Sequence, residues 1–85
     1  MRREEILAKA TMIVEGQREG DEGAEDTFEL IAALWGAYLD YIITPTDVCM
    51  MMALLKIARV KCGRSVGDSL VDIAGYAACA ADREL

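Results

Sequence analysis

The stretch Asp68-Ser-Leu-Val-Asp-Ile-Ala-Gly-Tyr-Ala-Ala-Cys-Ala-Ala81 predicts one long helix. At about 100° per residue, its side chains divide into two faces. The broad face is apolar and mostly alanine, and consists of Leu70, Ile73, Ala74, Ala77, Ala78 and Ala81. The narrow stripe opposite consists of Asp68, Asp72, Tyr76 and Cys79. Because alanine side chains are short, we expect the apolar face to pack closely against a neighbouring helix. The stripe, centred on Asp72, is the candidate for function.

Three more helices are predicted before this one. Apolar residues recur at helical spacing from about Arg3 to Val14, and again from Asp26 to about residue 40. Thr44-Pro45-Thr46-Asp47 predicts the start of a third helix, because threonine suits the N-cap, proline the first turn and the aspartate completes a capping box. The chain shows no strand alternation and no internal repeat. The sequence therefore predicts an all-α fold, a compact four-helix domain spanning residues 1–85.

The third predicted helix, which ends near Lys61, is apolar almost all round. Only Lys56 and Arg59 interrupt the apolar positions between Val48 and Val60. Such a helix is normally buried on most sides, so we expect it to be central. A chain of 85 residues buries only about 60–65% of the surface that its unfolded form exposes. We therefore predict a homo-oligomer, in which another copy covers apolar surface left on the third and fourth helices.

The start of the fourth helix is the third predicted capping box, after Asp26 with Glu29 at the second helix and Thr44 with Asp47 at the third. Ser65 would be its N-cap, with Asp68 three residues later. On this interpretation, Asp68 is a helix-start residue and nothing more.

Composition excludes several classes of function. The net charge is -6, and an acidic surface does not suit a nucleic-acid backbone or an anionic membrane. The chain has no histidine, which removes the usual general base and most transition-metal sites. Its three cysteines, Cys49, Cys62 and Cys79, form no C-x-x-C pair and favour reduced thiols. No apolar run approaches the length of a membrane span, and no signal-peptide pattern is present, so a cytoplasmic protein is predicted.

Residues 15–25 form the one long polar run. It contains three glycines and five carboxylates without apolar periodicity, which predicts a loop. A solvated connector is the favoured interpretation. The alternative is a lid or ligand-binding loop, because long loops inside small domains are often functional.

Two interpretations fit the charged residues on the helices. Asp68 and Asp72 are four residues apart and share a face, so a cation is expected near them. In the first interpretation, which we favour, Lys56 or Arg59 forms an ion pair with Asp72 between the third and fourth helices. In the second, Glu29, Asp68 and Asp72 hold a divalent metal that bridges phosphate oxygens, and Lys56 or Arg59 takes the phosphate charge.

Four segments together resemble a family of small phage and prophage proteins of unassigned function. They are Ile31-Ala-Ala-Leu-Trp, Ile43-Thr-Pro-Thr-Asp-Val, Met52-Ala-Leu-Leu-Lys-Ile-Ala-Arg59 and Asp68-Ser-Leu-Val-Asp-Ile-Ala-Gly-Tyr-Ala77. More remotely, the order of acidic helices is similar to the nucleotide-modification-associated and MazG-like nucleoside triphosphate pyrophosphohydrolases, which are all-α.

The resemblance implies a protein that handles or binds nucleotides. It implies Mg²⁺ on Glu29, Asp68 and Asp72, and a nucleotide phosphate near Lys56, Arg59 and Tyr76. The chain would be a Mg-dependent pyrophosphohydrolase or a degenerate relative of one. The alternative function is a non-catalytic oligomeric interaction protein that binds a host protein or sequesters a nucleotide signal, which the missing histidine favours.

Overall fold

A computed structural model describes residues 1–15 and 24–85, with side-chain environments from residue 27 onward in the second range. Within these two ranges the chain forms four helices: α1 (Arg3–Val14), α2 (Ala24–Leu39), α3 (Pro45–Lys61) and α4 (Val66–Glu84). The described residues contain no strand, so the predicted all-α, four-helix architecture is confirmed.

The predicted bounds hold for α1 and α3 and shift for α2. Because α2 begins at Ala24, Asp26 lies inside the helix and does not precede it. The last two residues of the predicted 15–25 loop therefore belong to α2. Most of that loop, residues 16–23, lies outside the part of the chain that the structure describes.

The start of α3 has the predicted capping box. The hydroxyl of Thr44 accepts a hydrogen bond from the backbone N–H of Asp47 at 3.1 Å. The carboxylate of Asp47 in turn accepts one from the backbone N–H of Thr44 at 2.9 Å, and Pro45 occupies the first turn. Two orphan donors are thus satisfied at this helix end.

Helices α2 and α3 end in the same way, with a residue in left-handed conformation. Asp40 has φ 52° and Gly63 has φ 73°. After each, the next backbone N–H bonds back to a carbonyl five residues earlier, from Tyr41 to Gly36 at 3.1 Å and from Arg64 to Arg59 at 2.9 Å. This is the Schellman arrangement, which satisfies carbonyls of the last turn.

The predicted capping box at Ser65 is wrong. Ser65 has φ 46° and ψ 48°, and its side chain makes no capping hydrogen bond. The left-handed conformation differs from the extended backbone that an N-cap residue normally has. Only Arg64 lies between Ser65 and Gly63, the left-handed residue of the Schellman turn, and the chain reverses within that short connection.

In space the helices follow the order α1, α4, α3, α2. The α3–α4 hairpin forms the middle of this arrangement, α1 packs mainly on α4, and α2 packs mainly on α3. A hydrogen bond of 2.6 Å from the Thr46 hydroxyl to the Glu84 carboxylate joins the first turn of α3 to the last turn of α4, so these helices are antiparallel. The central place predicted for α3 is shared with α4.

The described core is small and lies at one end of the hairpin. It consists of Phe28, Ala32, Val48, Cys49 and Ala80, with the partly buried Ile31, Trp35, Ile43, Met52, Tyr76 and Cys79 packed around it. The first turns of α3 and the last turns of α4 are therefore enclosed from several sides, and Ser69, Val71 and Gly75 are also buried earlier in α4.

One predicted packing face is wrong and another holds in part. On α3, the side chains that point away from α4 and α2 remain exposed, so this helix is not buried on most sides within one chain; they are Met50, Met51, Leu54, Leu55 and Ile57. On α4, the stripe of Tyr76 and Cys79 packs against the core. On the predicted alanine face, Ile73 and Ala74 are half-buried, and Ala74 and Ala78 line a small pocket with residues of α1, whereas Leu70, Ala77 and Ala81 are exposed.

Candidate functional site

The stripe on α4 meets α3 through an ion pair. The Lys56 Nζ atom lies 3.1 Å from the Asp72 carboxylate, and the two side chains are only 20% and 24% exposed. The predicted ion pair is therefore present, with Lys56 as the partner. The pair is mostly shielded from water, so each charge depends on the other for stabilisation.

Asp72 also lines a cavity of about 220 Å³ between α1, α2 and α4. The cavity wall is mainly apolar, with Ile13, Val14, Phe28, Ile31, Val71 and Gly75, and its polar groups come from Thr27, Asp72, Tyr76 and Cys79. The predicted stripe and the cavity therefore coincide at Asp72, Tyr76 and Cys79. A mainly apolar wall with a few polar groups is the usual character of a small-molecule site.

Aromatic and charged contacts join the start of α2 to the end of α4. The Phe28 and Tyr76 rings lie 6.1 Å apart between centroids, tilted by 57°. The guanidinium of Arg83 lies 6.0 Å from the centroid of the Phe28 ring, within cation–π range. Arg83 also approaches the Glu29 carboxylate at 4.0 Å. These contacts hold the cavity wall on α2 against α4.

The predicted site residues do not come together as one centre. Asp72 faces Lys56 and Glu29 faces Arg83, whereas Asp68 and Arg59 are exposed. Among the residues with described positions, no three or more Asp, Glu, Cys or His side chains form a group that could hold a metal ion. Glu29, Asp68 and Asp72 in this arrangement do not fit a shared Mg²⁺.

Phe28 and Arg83 belong to this site but were not predicted from the sequence. Arg83 follows Asp72, Tyr76 and Cys79 at intervals of four, three and four residues. That spacing continues the same helical face, so the sequence signal was present. Phe28 lies among the recurring apolar positions of the second predicted helix, and nothing in its local sequence indicates a cationic partner.

A buried thiol lies next to this site. Cys49 in α3 is fully buried, and burial raises the pKa of its thiol above the ordinary value of 9.0. The nearby Cys79 also raises the pKa of Cys49, and the Arg83 cation opposes the rise. The Cys49 thiol is therefore neutral and unreactive near pH 7.

Comparison with known proteins assigns the chain to a family. A family model described as a domain of unknown function, DUF6378, matches residues 5–84. The chain belongs to the DUF6378 family. The family match covers α2, α3, α4 and all but the first two residues of α1, and so spans the residues of the ion pair and of the cavity wall.

Two relatives of this DUF6378 chain are bacteriophage proteins. It is 51% identical over 74 residues to the Gene 55 protein of Mycobacterium phage L5, an alignment covering 85% of this chain and 47% of that protein. It is 42% identical over 77 residues to the Gene 55 protein of Mycobacterium phage D29, covering 89% and 51%. The chain thus spans about half the length of the curated relatives it matches. No solved structure matches it.

These findings support the predicted resemblance to small phage proteins of unassigned function. They show no similarity to MazG-like enzymes. Over the described residues, no helix combines the length and the apolar character needed to cross a bilayer.

Proposed function

We propose that this chain is a non-catalytic interaction protein that works as a homo-oligomer. The observation that carries the proposal is the large apolar surface that one copy leaves exposed on α2 and α3. On α2, Leu30, Leu34 and Tyr38 follow one another at intervals of four residues and are all exposed. On α3, the exposed apolar residues extend over about two turns, from Met50 to Ile57.

The area supports association. One copy exposes 6328 Å², whereas a folded monomer of 9.3 kDa exposes about 5,000 Å² on average. Exposed apolar surface on two helices of so small a protein is typical of an association site.

The partners that fit this surface are proteins. A second copy of the chain is the first partner, and a host protein is the second, because the relatives are encoded by bacteriophages. The net charge of -6 opposes binding to nucleic acid. An apolar stripe such as Leu30, Leu34 and Tyr38 suits an apolar helix or groove on the host protein.

Sedimentation velocity at protein concentrations from about 1 to about 100 µM tests the self-association. We expect a species heavier than one chain across the upper part of this range, as the apolar area requires. A stable monomer at every concentration would remove the oligomeric part of the proposal.

Nucleotide handling is the second candidate function, and one observation favours it. Asp72 and Tyr76 line the same cavity, and Lys56 lies 3.1 Å from Asp72. Asp72 is the one carboxylate among the cavity's described lining residues, and it faces Lys56, so a nucleobase suits this cavity better than a phosphate does.

The two candidates make different predictions with nucleotides. The protein is incubated with a panel of nucleoside triphosphates and magnesium, and released pyrophosphate and bound nucleotide are both measured. Pyrophosphate release would establish the enzyme and refute the non-catalytic proposal. Binding without release, lost in Asp72→Ala with the fold intact, would support a nucleotide signal as a ligand of the interaction protein.

A further inference from the structure

We infer that α3 is the surface through which two copies of this chain join, and that the two α3 helices pair antiparallel across a two-fold axis at Leu54. This inference rests on the proposed self-association and specifies where it occurs. The outer face of α3 is defined as Met50, Met51, Leu54, Leu55, Ile57 and Ala58, all of them exposed.

The outer face covers nearly half of the helix surface. At about 100° per residue, its six residues span about 160° and are uninterrupted by charge in the middle of the helix. The two charged residues in that part of the sequence, Lys56 and Arg59, lie on the other half. Lys56 is engaged there with Asp72 of α4. The outer face is therefore wholly apolar over its central turns.

The charges at the ends of the outer face show which partner fits. Asp47 lies at one end and Lys61 at the other, both exposed, about 21 Å apart and on the same side as Leu54. In an antiparallel pair, Asp47 of each copy faces Lys61 of its partner, so two opposite-charge contacts flank the apolar centre. A parallel pair would place like charges together at both ends.

The position of the two-fold axis follows from the spacing of the charged residues on α3. Leu54 lies midway between Asp47 and Lys61, seven residues from each. An axis at Leu54 makes the surface self-complementary, as an isologous interface requires. Leu54 is also the most exposed apolar side chain of the outer face, at 63%, and would be its central contact.

A matched pair of substitutions tests the location. Leu54→Glu places two carboxylates at the axis, and we expect it to raise the dimer dissociation constant at least about 100-fold. Leu7→Glu makes the same change at a 61% exposed leucine of α1, outside the apolar surface of α2 and α3, and should leave the dissociation constant within about threefold. Both are measured by sedimentation equilibrium, with circular dichroism to show that the helices are intact.

A second pair tests the charge arrangement. Lys61→Glu turns both end contacts into repulsions, and we expect about a tenfold weaker dimer at low salt. Arg59→Glu makes the same charge change at an exposed position on the other half of the helix and should have little effect. Equal weakening by both variants would show a general charge effect and contradict the assigned contacts.

Disulfide trapping tests the relative direction of the two α3 helices without destabilising the dimer. In a Cys62→Ser background, which removes the exposed thiol, chains with Met50→Cys are mixed with chains with Ala58→Cys. Antiparallel pairing about Leu54 brings position 50 opposite position 58, so oxidation should yield the mixed disulfide. Homodisulfides at position 50 would overturn the antiparallel assignment.

The outcomes separate this inference from the broader proposal. If the unmodified protein is a monomer, both fail. If it is an oligomer that Leu54→Glu leaves intact, self-association stands and the assignment to α3 is wrong. An oligomer that Leu54→Glu dissociates, with Leu7→Glu without effect and the mixed disulfide formed, supports both.

Discussion

The Lys56–Asp72 ion pair can be broken by one isosteric change, Asp72→Asn. The substitution leaves the Lys56 ammonium without its counter-charge at a position that is 20% exposed. Removing one partner of a buried pair costs about 3–5 kcal/mol, whereas an exposed pair contributes about 0–1 kcal/mol. With side chains that are 20% and 24% exposed, the pair lies between these limits, and we expect a loss of about 2 kcal/mol.

Thermal unfolding followed by circular dichroism measures this loss. For a domain of this size, 1 kcal/mol corresponds to about 4–8 °C, so the Tm should fall by about 8–16 °C. Asp68→Asn is the matched control, because Asp68 is an exposed aspartate one turn earlier on α4. Its loss should cost less than about 1 kcal/mol, the size of a helix-dipole contribution.

A double variant distinguishes the ion pair from other causes of instability. Lys56→Met with Asp72→Leu removes both charges, and it should recover much of the lost Tm because no uncompensated charge remains. A Tm that Asp72→Asn does not lower would refute the stabilising role of the ion pair. If Asp72→Asn kept or raised the Tm, and magnesium stabilised only the unmodified protein, Asp72 would belong to a metal site.

Four further substitutions test the structure. Gly36→Ala should destabilise the protein by about 1–3 kcal/mol, because its Cβ would lie 2.8 Å from the Tyr41 carbonyl oxygen. Gly75→Ala should be neutral or stabilising by up to about 1 kcal/mol, because the nearest atom to its Cβ would be 3.6 Å away. Equal losses of stability for Gly36→Ala and Gly75→Ala in thermal melts would contradict this contrast. Thr44→Ala removes the α3 capping box and should lower the urea-unfolding free energy by about 1–2 kcal/mol, and an unchanged midpoint would contradict the role of the cap. Burial raises the native pKa of the Cys49 thiol above 9.0, so the stability that this thiol contributes is present below pH 9.0 and is lost as the pH rises through the native pKa. Between neutral pH and a pH above 9.0, the Cys49→Ala protein should therefore lose less unfolding free energy than the unmodified protein.

The sequence predicted the helices better than their orientation. Spacing placed α1 within its observed bounds, and the Thr44 capping box with Pro45 placed the start of α3, because both signals act within one turn. The Ser65 box failed, since a short connection after a Schellman turn imposes its own backbone conformation. Local signals do not contain that constraint.

The packing faces required information that no single helix carries. On α4, residue hydrophobicity favoured the alanine face, yet Tyr76 and Cys79 turned inward because Phe28 and Cys49 of other helices meet them there. The ion pair was predicted because its partners lie on consecutive helices that form a hairpin. The cavity was not predicted, since its walls come from three helices and from residues far apart in the chain.

The attachment of α1 has a consequence for the dynamics of the cavity. This helix has 12 residues, packs mainly on α4 and contains one buried residue, Ala10. A helix of that length is marginal on its own, so α1 should unfold locally at a lower free energy than the α3–α4 hairpin. Its last turn carries Ile13 and Val14 of the cavity wall. Each local unfolding event therefore opens the cavity, and a ligand that contacts these two residues slows amide hydrogen exchange along the whole of α1.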